Sequence, residues 1–223
     1  MKREIFLAAL ALASFAHPPD GLAEFRPDTP TGDMPYVIVT TRDLAKAFQP
    51  LADWKTRTGL PARVVTVEEI EADRANGGAD TAERIRTFLR RCNENWNTRW
   101  ALLGGHITLV PGRGTWMRRG EHQAAGSICD LYYGDVLPPD ATAEAEVEIY
   151  NWNGDGDARF GEERDGMDLA PELFVARLPF EEDDQVEDYL KKYFDYVSAK
   201  ESEHLGRALI VGAEEFGERQ ETL

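Results

Sequence analysis

The chain has 223 residues, enough to bury the core of one ordinary α/β domain or most of a larger one. Hydrophobic residues make up 42% and aromatic residues 10%, which excludes a disordered tail despite 30% charged residues. With 25 Lys+Arg against 41 Asp+Glu the net charge is -16, a field that repels phosphate backbones and argues against nucleic acid as a partner.

The first residues read Met1-Lys2-Arg3, then an apolar run from Ile5 to Ala16, then Pro18-Pro19. A basic start, a short apolar stretch and small residues at Ala16 or Ala23 make a secretory signal, expected over 1–23. No later segment is apolar for long enough to suggest a bilayer span. Residues 24–33 are rich in Pro, Gly and Asp and read as a linker, leaving 34–223 for the folded unit.

Tyr36 to Thr41 is a near-continuous β-branched run, expected as a strand covered on both faces. Leu44, Ala47, Phe48, Leu51 and Trp54 then recur at helical spacing, with Pro50 expected to kink or restart the helix and Gly59 to end it. Ala62–Val67 reads as a second strand. Asp80-Thr81-Ala82-Glu83 opens a second helix with the look of a capping box, and Ile85, Phe88, Leu89, Cys92 and Trp96 form its buried stripe. Trp100–Leu103 is a third strand leading into Gly104-Gly105-His106.

From His106 to about Ala170 the alternation stops, and loops of such length are usually functional. It resumes with Leu173–Ala176 as strand four and a helix striped by Val186, Tyr189, Leu190, Tyr193, Phe194 and Val197. Ala208–Gly212 reads as a fifth strand. Strands alternating with helices predict an α/β fold, a doubly wound and mostly parallel sheet flanked by helices, carrying one long acidic insertion. A core strand so near the last residue suggests an unfinished domain.

Between Asp140 and Asp188 stand 17 carboxylates and three arginines, so that segment carries -14 of the net charge. At its centre is Asn151-Trp-Asn-Gly-Asp-Gly-Asp-Ala-Arg-Phe-Gly-Glu162. With Asn151 at position 1, Asn153 falls at 3, Asp155 at 5, Gly156 at 6, the Asp157 carbonyl at 7 and Glu162 at 12, which matches the calcium-loop template. Hard Ca²⁺ takes several oxygens, alternate residues of a tight loop point inward, Gly permits the turn and a distal Glu closes the cage. The preceding Glu146–Tyr150 looks like a strand, so this is no EF-hand, and a solvated Asp/Gly turn stays open as the alternative. Asp165, Asp168 and Glu172 add further negative charge nearby.

The catalytic inventory is thin. His106 stands at the carboxyl end of a core strand, where α/β sites gather, and His122 with Cys129 are loop residues seven apart. Cys92 lies on an apolar stripe as a small hydrophobe. There is no Ser nucleophile elbow, no Gly-x-Gly-x-x-Gly after the first strand, no P-loop and no zinc spacing.

Four strings occur in order: Asp53-Trp-Lys-Thr-Arg-Thr-Gly-Leu60, Leu102-Leu-Gly-Gly105, Asp130-Leu-Tyr-Tyr-Gly-Asp135 and Pro171-Glu-Leu-Phe-Val-Ala-Arg-Leu-Pro179, with Phe160-Gly161-Glu162 between the last two. Together they resemble the gingipain family of cysteine peptidases over roughly 34–223. The resemblance implies a secreted, calcium-binding, caspase-like enzyme of two subdomains that cleaves peptide or protein substrates with a Cys-His dyad. It also implies that both dyad residues lie in a carboxyl-terminal catalytic subdomain beyond this chain. One participant would remain: the acidic residue that orients the catalytic His matches Glu215, with Glu214 as reserve. The family pattern has Asp where this chain has His106, Ser where it has Cys129 and Gly where it has Ala176. A second cation site drawn from Asp130 and Glu172 would thus lack one acidic neighbour. The rival reading is a non-catalytic calcium-binding module of an exported or surface protein.

Overall fold

Tyr36–Thr40 forms the first strand, β1, and its Val37, Ile38 and Val39 are fully buried because layers cover the sheet on both sides. The structure is a computed structural model that describes residues 32–116, 118–119, 122–123, 126–137, 152–165, 167, 169–199 and 207–209. The expected signal and nearly all of the expected linker lie outside them, as does the Glu146–Tyr150 run.

Arg42–Arg57 follows as α1, one unbroken 16-residue helix through Pro50. The expected restart does not occur: Pro50 is exposed, while Leu44, Ala47, Phe48, Leu51 and Ala52 are held in the core around it. Ala62–Thr66 is β2, one residue shorter than the sequence suggests. Thr66 instead caps a six-residue helix, α2 (Val67–Ala72), its hydroxyl accepting from the Glu69 amide and the Glu69 carboxylate accepting from its own. Thr81–Trp96 is α3, with Asp80 accepting from the Glu83 amide at 2.8 Å. Trp100–Gly104 is β3.

Short elements then replace the expected featureless loop. Arg113–Thr115 (β4) pairs antiparallel with Ser127–Cys129 (β7), and Arg118–Arg119 (β5) with His122–Gln123 (β6). Asp130–Tyr133 and Glu163–Asp165 are 3₁₀ turns. Phe174–Leu178 is β8 and Asp183–Ser198 is α4. The fourth core strand therefore runs two residues past the sequence estimate, carried by the Gly105 amide bonding the Leu178 carbonyl.

The main sheet is parallel, in the order β2-β1-β3-β8. On one face Phe48, Leu44 and Leu51 of α1 and Val186 and Leu190 of α4 pack on Ile38 and Leu102. On the other, α2, α3 and the insertion pack on Val37, Val39, Ala101 and Leu103. Crossovers that step outward in opposite directions with helices on opposite faces make the doubly wound arrangement. Each fully buried Phe, Leu or Ile contributes about 1.5–3 kcal/mol of transfer free energy.

Two expectations at the carboxyl side are altered. Val197 is 41% exposed, since nothing described covers the last turn of α4. Of the expected fifth strand, Ala208 and Leu209 are described without strand pairing, Leu209 is 89% exposed, and 210–212 lie outside the described residues.

Candidate functional site

The acidic loop is held at both ends by aromatic side chains. Trp152 is fully buried, its indole N–H donates to Asp135 Oδ2 at 3.0 Å, and its ring meets Tyr132 edge-on at 5.4 Å. Phe160 packs edge-on to the same Tyr132 at 6.2 Å, and its carbonyl accepts from the Trp116 amide. The Gly161 amide closes the loop onto the Trp152 carbonyl at 2.8 Å. Tyr132 is clamped in turn by the Arg113 and Arg86 guanidinium groups, 4.6 and 5.1 Å from its ring centre. Arg113 donates twice to Asp80 at the start of α3, which fastens the insertion to the helix layer.

Within this frame Asp165 is fully buried and accepts from the Gly154 amide at 2.9 Å and the Glu162 amide at 2.8 Å. Asp155, Asp157 and Glu162 each offer a carboxylate oxygen, all within 4.8 Å of one another. Asn153 Oδ1 instead accepts from the Ala158 amide, at 3.1 Å. Asn151 lies outside the described residues. Between the three carboxylates sits a residue that spacing alone does not single out: Arg164 reaches Asp155 Oδ2 at 2.7 Å, Asp157 Oδ2 at 2.7 Å and Glu162 Oε2 at 2.6 Å. The bond to Glu162, followed by the charges of Asp155 and Asp157, raises the Arg164 guanidinium above its ordinary value.

Asp130 and Glu172 are engaged elsewhere. Asp130 forms a two-pronged bridge to Arg177, and Glu172 Oε2 accepts the Val136 and Leu137 amides at 2.9 and 3.0 Å. Neither joins the Asp155, Asp157 and Glu162 group.

At the carboxyl ends of the strands, His106 Nδ1 lies 2.9 Å from the Thr108 hydroxyl and 3.1 Å from Glu181 Oε1. Cys92 is fully buried, and burial pushes its thiol up and away from the reactive thiolate. Among the described side chains neither cysteine is hydrogen-bonded to an imidazole, and both thiols are free of disulfide. Glu214 and Glu215 lie outside the described residues.

A family model described as peptidase family C25 matches residues 29–222. The chain belongs to peptidase family C25. Among solved structures it is similar to the Arg-specific cysteine proteinase gingipain R (RGPB), at 17% identity and TM-score 0.47, covering 76% of this chain and 29% of that one. It is also similar to the complex of Porphyromonas gingivalis RgpB pro- and mature domains, at 17% identity and TM-score 0.46, covering 72% and 28%. Dimeric latent PorU from Porphyromonas gingivalis follows at 16% identity and TM-score 0.46, covering 72% and 15%. The chain thus spans under a third of the length of each. No curated protein matches it. No helix among the described residues of this C25 chain is long and apolar enough to cross a membrane.

Proposed function

We propose that this chain is the amino-terminal, non-catalytic part of a secreted C25 cysteine peptidase, with calcium as the structural cation of its acidic loop. The family match over residues 29–222 carries the reading. The chemistry of the described residues supports the non-catalytic half of it. Cys92 is sealed inside α3. His106, the histidine whose side chain is described, is bound to Thr108 and Glu181 rather than to a thiol. In this reading the nucleophile and its base come from a carboxyl-terminal catalytic subdomain, and Glu215, or Glu214 in its place, orients the catalytic imidazole. A carboxylate in that position fixes the tautomer and stabilises the imidazolium as it forms.

The extracellular address rests on the signal read over 1–23. Calcium rests on the donor set, since hard carboxylate oxygens from Asp155, Asp157 and Glu162 at one point of a tight loop suit a hard cation. The scaffold's part in proteolysis is then to present a rigid α/β layer to the catalytic subdomain and to keep the acidic connector folded against it.

The test is covalent labelling. The purified chain, incubated with peptidyl acyloxymethyl ketones of varied first residue, is expected to remain unlabelled at Cys92 and Cys129 and to leave fluorogenic peptides intact. Stoichiometric labelling of Cys129 together with peptide turnover would overturn the non-catalytic assignment.

A further inference from the structure

We propose that the outer edge of β8, together with the apolar groove beside it, is where the carboxyl-terminal catalytic subdomain docks, adding a strand to the sheet. The inference rests on the reading above that such a subdomain exists, and it names the surface that receives it.

β8 is the last strand of the main sheet among the described residues. The Phe174 amide bonds the Arg99 carbonyl and the Leu178 carbonyl accepts from Gly105, so Phe174, Ala176 and Leu178 direct their main chains at β3. Val175 and Arg177 therefore aim theirs outward, where no described main chain pairs with them. Natural sheets blunt such an edge with lysine or proline. β8 has neither, and the one charge it carries, on Arg177, is turned inward onto Asp130.

Apolar surface flanks this edge on both faces, although a parallel sheet is ordinarily covered on both. The register that sets Trp100 against Phe174 and Leu102 against Ala176 puts Phe174 and Ala176 on the side of α1 and α4. Both are exposed there, Phe174 by 69%, its ring stacked at 6.3 Å on that of Trp100, itself 38% exposed. On the other face Leu131, Gly134, Pro171, Leu173 and Val175 line a groove of about 380 Å³.

The occupant has to bring a strand and a covering layer together. α4 lies on the same face as α1, and α1 steps from β1 to β2, so a right-handed crossover from β8 over that face leads back toward β3 and away from the free edge. A second copy paired edge to edge would supply a strand whose faces are as bare as those of β8, leaving Phe174 and Trp100 exposed. A lone extended peptide covers neither face. A separate α/β unit supplies both, a strand for Val175 and Arg177 and helices for Phe174 and the groove. The length for such a unit exists in the gingipain and PorU structures, of which this chain spans under a third.

Single-amide hydrogen exchange tests this on the chain of 223 residues and on the longer polypeptide encoded by the same reading frame. The Val175 and Arg177 amides are expected to slow by about 100-fold or more in the longer polypeptide, while those of Ala176 and Leu178 are slow in both. F174S removes the exposed ring and V175P the outward N–H, and each is expected to lower the melting temperature of the longer polypeptide more than that of the shorter chain. Val175 and Arg177 amides equally fast in both proteins, with the longer one cleaving peptides, overturn the docking surface and leave the peptidase reading standing. Slowing that sets in as the concentration of the shorter chain rises assigns the edge to a second copy and overturns the proposal likewise. A frame that stops at Leu223, or a longer polypeptide without cysteine-dependent cleavage, overturns the peptidase reading and the inference with it.

Discussion

Arg177 of β8 and Asp130 of the 3₁₀ turn face each other through two parallel bonds, Nε to Oδ2 at 2.7 Å and Nη2 to Oδ1 at 2.8 Å. The remaining Nη1 donates to the Gly105 carbonyl at 2.9 Å and the Val110 carbonyl at 2.7 Å. One guanidinium thereby ties the fourth core strand, the turn after the third and the start of the acidic insertion. Both partners are largely shielded, with side chains 11% and 27% exposed.

Removing Arg177 strands a shielded carboxylate and two carbonyls at once. R177A is therefore expected to lower unfolding free energy by about 2–4 kcal/mol, measured by urea denaturation. R177K should recover only part of the loss, because an ammonium cannot make the paired bond and reach both carbonyls. A loss under about 0.5 kcal/mol for R177A would mean the bridge is solvated in solution.

Gly104 meets the core at its tightest point: a Cβ there would lie 2.6 Å from Phe48 Cε2. Phe48 is fully buried in α1, so the ring cannot swing away without opening a void. G104A is expected to destabilise the fold by about 1–3 kcal/mol through overpacking. In the F48L background the alanine should cost less, and a double-mutant cycle that shows strict additivity would deny the contact.

The core was legible in sequence because its signals are local. The β-branched run of β1 and the Leu44, Phe48 and Leu51 stripe of α1 each lie on one element, and period alone separates strand from helix. α2 was hidden although its cap is written in Thr66 and Glu69, since the β-branched stretch before it masks where the strand stops. The acidic cluster of Asp155, Asp157 and Glu162 showed in the sequence spacing, whereas the contacts of Arg164 with all three did not. A side chain two residues beyond Glu162 faces Asp155 and Asp157 as well because Asp165 and Trp152 turn the chain back, through bonds to Gly154 and Asp135 that lie 11 and 17 residues away. The same limit kept Arg177 from view, since its partner is 47 residues away.

Asp80 joins α3 to the insertion, and its pKa is lowered chiefly by the hydrogen bond from Arg113, with the Glu83 amide assisting. A carboxylate depressed in the folded state adds stability above its unfolded value, near 4, and loses it as pH falls through the folded value. The wild type is therefore expected to weaken more steeply than D80N between neutral pH and pH 3. The difference should amount to roughly 0.5–1 kcal/mol, since Asp80 is 49% exposed and solvent screens the pair. Parallel pH profiles for the two proteins would show the bridge to be idle.

The two thiols sit in opposite environments. Cys92 is fully buried on α3, and Cys129 ends β7 only partly covered. In native buffer a colorimetric thiol reagent is expected to modify Cys129 alone, and Cys92 only after urea unfolds the chain. Burial raises the Cys92 pKa, so the folded state favours the protonated thiol. Its contribution is fully present below the unfolded value, near 8.5, and declines as pH rises above it toward the folded value. C92A should accordingly show a flatter loss of stability above pH 8.5 than the wild type, after a constant penalty of about 1 kcal/mol for the missing sulfur. Rapid native modification of both thiols would mean that α3 opens locally, and the alkaline slope would then vanish with it.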